Sequence, residues 1–308
     1  ETVAKINTDK RIYVEWSTNE KAALEVAAGA AYAGARSMVT MKQVGLNVAS
    51  DPLMSLAYVG VKGGMVVLVA DDPGPLSSQT EQDTRHFARY ANLPVFDPAT
   101  PEEAYEMTIA AFALSEQIGK PVFVRPTTKV CHSCATIEAP DTWEPKQADG
   151  FVKDPKWVIF PPLAYRAHVE IEALQRRLSE ELSDSPFNKM WGSGKVGVAA
   201  GGVSRTYVTE LAERFRLPVK VLEVGIPNPF PTRMGAEFLR GLEKVIVFEE
   251  LDPVIEEGLI EIAYQNRIDV AILGKKTDNT PCAGEFTYEI VRDALADVLG
   301  MELKDDTP

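Results

Sequence analysis

Two periods of apolar residues alternate along the chain. Residues 38–41, 65–70, 93–96 and 121–125 are short apolar runs that predict strands. Residues 65–70, Met-Val-Val-Leu-Val-Ala, form an unbroken apolar run, as expected of a strand buried on both faces. Between the strands, residues 81–91 and 101–118 have helical spacing, and Pro101 suits a first helical turn. Residues 42–47 read as a loop around Gly45, with a helix over 51–59 and a break at Gly63-Gly64. The alternation returns further on, with strands at 196–200, 219–224, 245–249 and 270–273. Helices are predicted at 204–215, 232–240, 253–266 and 287–299.

Strand and helix in turn predict α/β architecture, with open and mostly parallel sheets covered by helices on both faces. The length of 308 residues suits about two such domains. Residues 1–128 make the first and 191–308 the second. Residues 129–190 are a connector carrying one charged amphipathic helix over 165–182. Residues 127–162 lack any period and contain Pro140, Pro145, Pro155, Pro161 and Pro162, which predicts a surface path.

The stretch Glu15-Trp-Ser-Thr-Asn-Glu20 stands out within the first domain. Upstream, Arg11-Ile-Tyr-Val-Glu-Trp16 alternates and predicts a strand. Downstream, Ala23, Ala27, Ala30 and Gly34 recur at three- and four-residue steps on one helical face. A face without bulk lets another backbone come close. Glu20 opens this helix and has two readings. It completes a capping box, with Ser17 as N-cap and Glu20 at N3. Alternatively it faces a cleft, where a sheltered carboxyl can share a proton with a ring nitrogen.

Composition narrows the partners. The formal net charge of −13 argues against nucleic acid or an anionic membrane surface. No run of about 18 apolar residues exists to span a bilayer, and no signal-peptide pattern is present. Three cysteines in the chain fit a reducing, cytoplasmic setting. Both ends read as cuts in a longer polypeptide: residues 1–6 resemble the tail of a helix, and residues 304–308 the start of a linker.

Ligands of open parallel sheets bind beyond the carboxyl ends of strands. Three such connections are expected to converge: 17–20, 42–47 and 71–85. Lys42, Gln43 and Asn47 offer donors, and Gly45 permits close backbone approach. Asp71-Asp72 reads either as a magnesium site or as a turn before a helix. Residues 77–85 are dense in hydrogen-bonding groups. Cys131-His-Ser-Cys134 has metal or redox spacing but lacks further ligands, so no metal site is assigned. Gly201-Gly202 after a strand is only a fragment of a nucleotide fingerprint. Neither a P-loop nor a G-x-S-x-G elbow occurs.

Residues 15–25, EWSTNEKAALE, 41–54, MKQVGLNVASDPLM, and 71–85, DDPGPLSSQTEQDTR, together with Val247-Phe-Glu-Glu-Leu251, resemble one family. It is that of the thiamine-diphosphate-dependent 2-oxoacid:ferredoxin oxidoreductases, and within it the indolepyruvate branch. The similarity extends over essentially the whole chain. It implies a pyrimidine-binding domain followed by a transketolase C-terminal-like domain. The family's motif glutamate falls on Glu20, which would hydrogen-bond a pyrimidine nitrogen and favour the imino tautomer that deprotonates the thiazolium. Gln43, Gly45 and Asn47 would lie beside the cofactor, and Lys42 would meet the substrate carboxylate.

The resemblance further implies oxidative decarboxylation of an aryl 2-oxoacid such as indolepyruvate, with CoA as co-substrate and ferredoxin as electron acceptor. A smaller beta subunit and a homodimer of the alpha subunit are the expected partners. The diphosphate and magnesium site, and the iron–sulfur clusters, would belong to domains outside residues 1–308, so this segment alone is expected to be inactive. Other readings are a non-oxidative thiamine-diphosphate decarboxylase, a non-catalytic partner-binding scaffold, and a CoA-binding module centred on Gly201-Gly202.

Overall fold

The computed structural model describes residues 2–8, 12–138 and 147–304. Among these, two sheets follow one another along the chain. The first contains β1 (Ser37–Lys42), β2 (Met65–Ala70), β3 (Val95–Phe96) and β4 (Val122–Val124). Its order is β1-β2-β4-β3, and every pair is parallel. A short α1 (Thr2–Ile6) precedes α2 (Glu20–Tyr32), α3 (Gln43–Val59), α4 (Thr84–Tyr90) and α5 (Pro101–Ile118). The short α6 (Thr128–His132) and the long α7 (Pro161–Glu181) lead to the second sheet.

That sheet holds β5 (Asn188–Gly192), β6 (Val196–Gly201), β7 (Val219–Val224), β8 (Lys244–Phe248) and β9 (Ala271–Leu273), with the order β5-β7-β6-β8-β9. Only β5 runs antiparallel, against β7. Its helices are α8 (Ser204–Arg214), α9 (Thr232–Leu239), α10 (Val254–Asn266) and α11 (Tyr288–Leu299). Apart from the strand predicted over 11–16, the predicted strands and helices of both sheets are present. β5 lies outside the prediction because its residues show no clean in–out alternation. The structural class is therefore two mostly parallel α/β sheets. Among the described residues, no helix is long and apolar enough to cross a membrane.

Local signals account for several boundaries. The α5 helix starts where the Thr100 side chain accepts from Glu103 N at 3.2 Å and Pro101 needs no partner for an N–H. It stops at Gly119, whose φ of 65° is left-handed. The predicted helix over 81–91 begins instead at Thr84, because Asp83 caps it by accepting from Arg85 N. The strand predicted over 11–16 does not form; Arg11 itself lies outside the described residues. Both backbone groups of Ile12 are taken by the Asn7 side chain, and Tyr13 and Trp16 are 79% and 80% exposed. Alternation marks strand-like residues, but a strand also needs a neighbour with free backbone groups.

The two units join in three ways. The connector helix α7 places Leu178, with nearby Leu182, on Val66, Phe96, Met107, Val122 and Val124 of the first unit. The backbone after β7 closes the edge of the first sheet: Val95 N donates to Asn228 O at 2.9 Å and Asp97 N to Gly225 O at 2.8 Å. Beyond the strand ends lies a buried ionic joint. The guanidinium of Arg85 donates to Asp83, to Glu249 Oε2 at 2.7 Å, and to the carbonyls of Glu250 and Asp252. Burial pushes the Asp83 carboxyl up, but the charges of Arg85 and Arg125 more than reverse this and hold it below the usual range.

Replacing Arg85 with Met keeps the volume but leaves Asp83 and Glu249 charged without their partner. The expected loss is about 3–5 kcal/mol of stability, the cost of breaking a buried pair from one side. Denaturant titration of Arg85→Met checks it as a lowered midpoint.

Candidate functional site

The site starts at the first turn of α2. Asn19 is extended, with φ of −159°, and its side chain accepts from Ala22 N at 2.9 Å. Asn19 is therefore the N-cap, and the capping box expected from Ser17 and Glu20 is not formed. Ser17 is drawn off by a charged acceptor, since its hydroxyl donates to Glu15 Oε1 at 2.8 Å. Glu20 becomes the first helical residue rather than N3. Among the described residues its carboxyl makes no hydrogen bond or ion pair, although its neighbour Lys21 pairs with Asp51 at 2.8 Å.

What shelters Glu20 is a glycine. A Cβ built on Gly45 would stand 2.6 Å from both Cγ and Oε1 of Glu20. The close approach expected of Gly45 is thus present, but its setting differs. Residues 42–47 are not a loop: β1 ends at Lys42, and α3 begins at Gln43 with no intervening turn. Gly45 lies in the first turn of α3, where a missing side chain admits the Glu20 carboxyl without breaking the helix. The small face of α2 makes this approach possible. Ala27, Ala28 and Ala31 are buried in one cluster with Leu46, Ala49 and Leu53 of α3.

The loop after β2 closes over the start of α3. Exposed Lys42 donates from Nζ to Ser77 O at 3.0 Å and Oγ at 3.1 Å. Buried Gln43 donates to Thr80 O at 2.9 Å and accepts from Ser78 Oγ at 3.3 Å. Exposed Asn47 donates to Gln82 Oε1 at 3.0 Å. Lys42, Gln43 and Asn47 therefore converge with residues 77–82, and Gly45 with Glu20.

Asp71 and Asp72 hold this loop in place. Asp71 is fully buried, accepts from Arg125 Nε at 2.7 Å and from Thr84 N at 3.0 Å. Asp72 accepts from the N–H groups of Leu76, Ser77 and Ser78 and from the Thr128 hydroxyl. Burial raises the Asp72 carboxyl, but these donors prevail and bring it down to about 2. The turn reading of Asp71-Asp72 stands and the magnesium reading does not, because internal donors surround both carboxylates.

Other candidates separate from this place. Cys131 and Cys134, at and just beyond the end of α6, are free and exposed, as is Cys282. Among the described residues no group of three or more His, Cys, Asp or Glu is arranged to hold a metal ion. The Gly201-Gly202 turn is filled by the protein itself. A Cβ on Gly201 would strike Ile255 at 2.4 Å, and one on Gly202 would lie 3.3 Å from the Asp97 carboxylate. Internal packing thus accounts for both glycines. Two surface hollows, one lined by residues such as Arg292 and Leu303 and one by Tyr165 and Val169, include none of Glu20, Gln43, Gly45 or Asn47.

Sequence reasoning assigned no role to the buried charges Asp97, Arg125 and Arg205, nor to Glu249 and Glu250 beyond their place in the 247–251 motif. A positional signal existed. Asp97, Arg125 and Glu249 each directly follow an apolar strand, where side chains of a parallel sheet meet its carboxyl-end crevice.

Residues 1–163 match the family described as pyruvate flavodoxin/ferredoxin oxidoreductase, thiamine diphosphate-binding. The chain belongs to this family of thiamine-diphosphate-binding oxidoreductases. Indolepyruvate oxidoreductase subunit IorA of Methanothermobacter thermautotrophicus is 42% identical over 293 residues, covering 94% of this chain and 47% of that protein. The chain thus spans about half the length of this relative. In structure it resembles a 2-oxoglutarate:ferredoxin oxidoreductase of Magnetococcus marinus, with a TM-score of 0.71 at 17% identity. That likeness covers 96% of this chain and 59% of the other. A split-gene transketolase, an inactive beta4 tetramer, has a TM-score of 0.61 at 16% identity, covering 98% of this chain and 89% of the other.

Two outcomes are expected. Gly45→Ala retains the fold, since the clashing atoms belong to a flexible side chain, but displaces the Glu20 carboxyl by about 1 Å to restore van der Waals distance. A crystal structure of the variant checks this. For Asp72, a folded value of about 2 lies below the ordinary 3.8. Its contribution is complete above about pH 4 and is lost as pH falls through about 2, amounting to about 2 kcal/mol. The stability gap between the wild type and Asp72→Asn should therefore shrink by that amount between pH 5 and pH 2 in denaturant titrations.

Proposed function

We propose that this chain supplies the pyrimidine-activating half-site of a 2-oxoacid:ferredoxin oxidoreductase acting on aryl 2-oxoacids such as indolepyruvate. The observation that carries the reading is the state of Glu20. Its carboxyl is half-buried, rests on a glycine that leaves room for it, and makes no bond within the described residues. A capping or purely structural acid would spend its oxygens on backbone N–H groups, as Asp72 does. The residues present suit the aminopyrimidine end of thiamine diphosphate, which the family binds. When bound, the cofactor supplies the nucleophilic carbon and the electron sink that decarboxylation requires.

The chain's own residues hold, orient and exclude. Glu20 presents its unbonded carboxyl to a ring nitrogen of the pyrimidine. Gly45 keeps the approach open. Gln43, buried and held from both ends of its amide, stiffens the wall beside Glu20, and Asn47 extends that wall. The Lys42 ammonium, exposed and tethered among the described residues to Ser77 alone, attracts the substrate carboxylate.

The division into residues 1–128, 129–190 and 191–308 is part of this reading. So is the location of the diphosphate and magnesium site and the iron–sulfur clusters in the remaining half of a protein about twice this length. The name of the relative, a subunit, supports a smaller partner subunit. CoA as co-substrate is supported by the CoA-bound Magnetococcus enzyme. That the segment alone is inactive, and that alpha subunits pair, is in keeping with the inactive beta4 assembly of the transketolase half.

The test is made in the full-length complex with its partner subunit. Glu20→Gln should lower the rate of ferredoxin reduction by about 10²–10⁴, the range of a lost acid–base group. Proton exchange at the thiazolium carbon, followed by NMR, should slow in parallel while the cofactor still binds. Full activity in Glu20→Gln removes Glu20 from the reaction. Release of an aldehyde without ferredoxin reduction identifies the non-oxidative decarboxylase instead.

A further inference from the structure

The loop that meets Lys42, Gln43 and Asn47 lies between two anchors of different origin. On the side of its own sheet, Asp72 gathers the N–H groups of residues 76–78. The other anchor is Glu81. A single oxygen, Oε1, accepts from Gly74 N at 2.9 Å and from Gly284 N at 2.7 Å. The first bond closes the loop on itself. The second reaches a turn of the other sheet's unit, 203 residues away in sequence.

That turn is itself firmly fixed. Phe286 N donates to Glu250 Oε1 at 2.9 Å, and Lys129 pairs with Glu285 at 3.3 Å. The fit around the glycines is close: a Cβ on Gly74 would lie 3.2 Å from Glu285 N. Every described contact of Lys42, Gln43 and Asn47 with the loop falls at residues 77–82. These residues lie between Gly74 and Glu81 or directly beside Glu81.

We propose that Glu81 is a positioning residue: its carboxylate carries the placement of the second unit's Gly284 turn to the loop that holds Lys42 and Gln43. The wall of the pyrimidine half-site is then set partly by the other domain. A shift of that domain would reach Lys42 and Gln43 through this oxygen, beside the joint that Asp83 and Arg85 make with Glu249, Glu250 and Asp252. No other side chain among the described residues bonds both to the segment 73–76 and to the second unit. The bearing on substrate rests on the function proposed above; the mechanical link does not.

The experiment compares wild type, Glu81→Ala and Glu81→Gln in the full-length complex. Glutamine retains a carbonyl oxygen able to accept both N–H bonds, whereas alanine retains nothing. Hydrogen exchange read by mass spectrometry should quicken about tenfold or more in Glu81→Ala, both at residues 74–82 and at 283–286. Glu81→Gln should stay within about twofold of the wild type at both. In kinetics, Glu81→Ala should raise KM for the 2-oxoacid about fivefold or more and change kcat less than KM, with Glu81→Gln restoring both.

Faster exchange confined to 74–82 overturns the proposal, since Glu81 would then only close its own loop. Unchanged exchange in both segments, or loosened segments with unchanged KM in an active complex, overturns it as well. If the complex fails to bind thiamine diphosphate, the function proposed above falls, while the exchange result still decides the link.

Discussion

A buried guanidinium is the constraint on which the arrangement rests. Arg85 is fully buried, and all its described partners are acceptors. Two of them are carboxylates from different sheets, Asp83 at the start of α4 and Glu249 at the end of β8. Burying such a charge is tolerable only when every donor is answered, and the answer here comes from both halves of the chain. The ion pair therefore acts less as a source of stability than as a specification. It admits one relation between the sheets and brings the loop over residues 77–82 to the start of α3.

Much of this was legible in the sequence because burial writes a plain pattern. The 65–70 strand is apolar at every position because helices cover both its faces; the small-residue face expected on α2 through Ala23, Ala27, Ala30 and Gly34 is met only in part, since Leu24, Ala27, Ala28 and Ala31 are the residues buried there. The meeting of residues 42–47 with 71–85 follows from β1 and β2 being adjacent in a parallel sheet, whereas Glu20 reaches them from the start of α2 with no strand before it among the described residues. What escaped was decided by competition among polar groups. Ser17 looked like a cap, but Glu15 offers a charged acceptor and Asn19 is better placed. Gly45 looked like a break, yet a glycine in a first helical turn can admit a neighbour as readily as end a helix. The strand expected near Tyr13 depended on a partner that residue patterns do not name.

The buried charges show a second limit. Asp97, Arg125 and Arg205 meet across the joint: Arg125 donates to Asp97 at 3.1 Å, and Arg205 to the Asp97 carbonyl at 2.9 Å. Each partner comes from a different strand end or helix start. Their spacing in the chain carries no trace of the match, because strand order alone brings them together. Their place immediately after apolar runs was the available clue. It marks the same crevice that holds ligands in related architectures, here filled by the protein's own side chains.

The alanine face of α2 has one more effect. With Ala27, Ala28 and Ala31 packed in one cluster with Leu46, Ala49 and Leu53, the two helices behave like the jaws of a calliper. Any larger side chain at Ala27, Ala28 or Ala31 would open the jaw from its midpoint or far end, and the movement would be felt at the tip where Glu20 meets Gly45. Residues several turns away, with no chemistry of their own, thus govern how finely an acid is aimed. Drift in sequence should be least tolerated along that stripe.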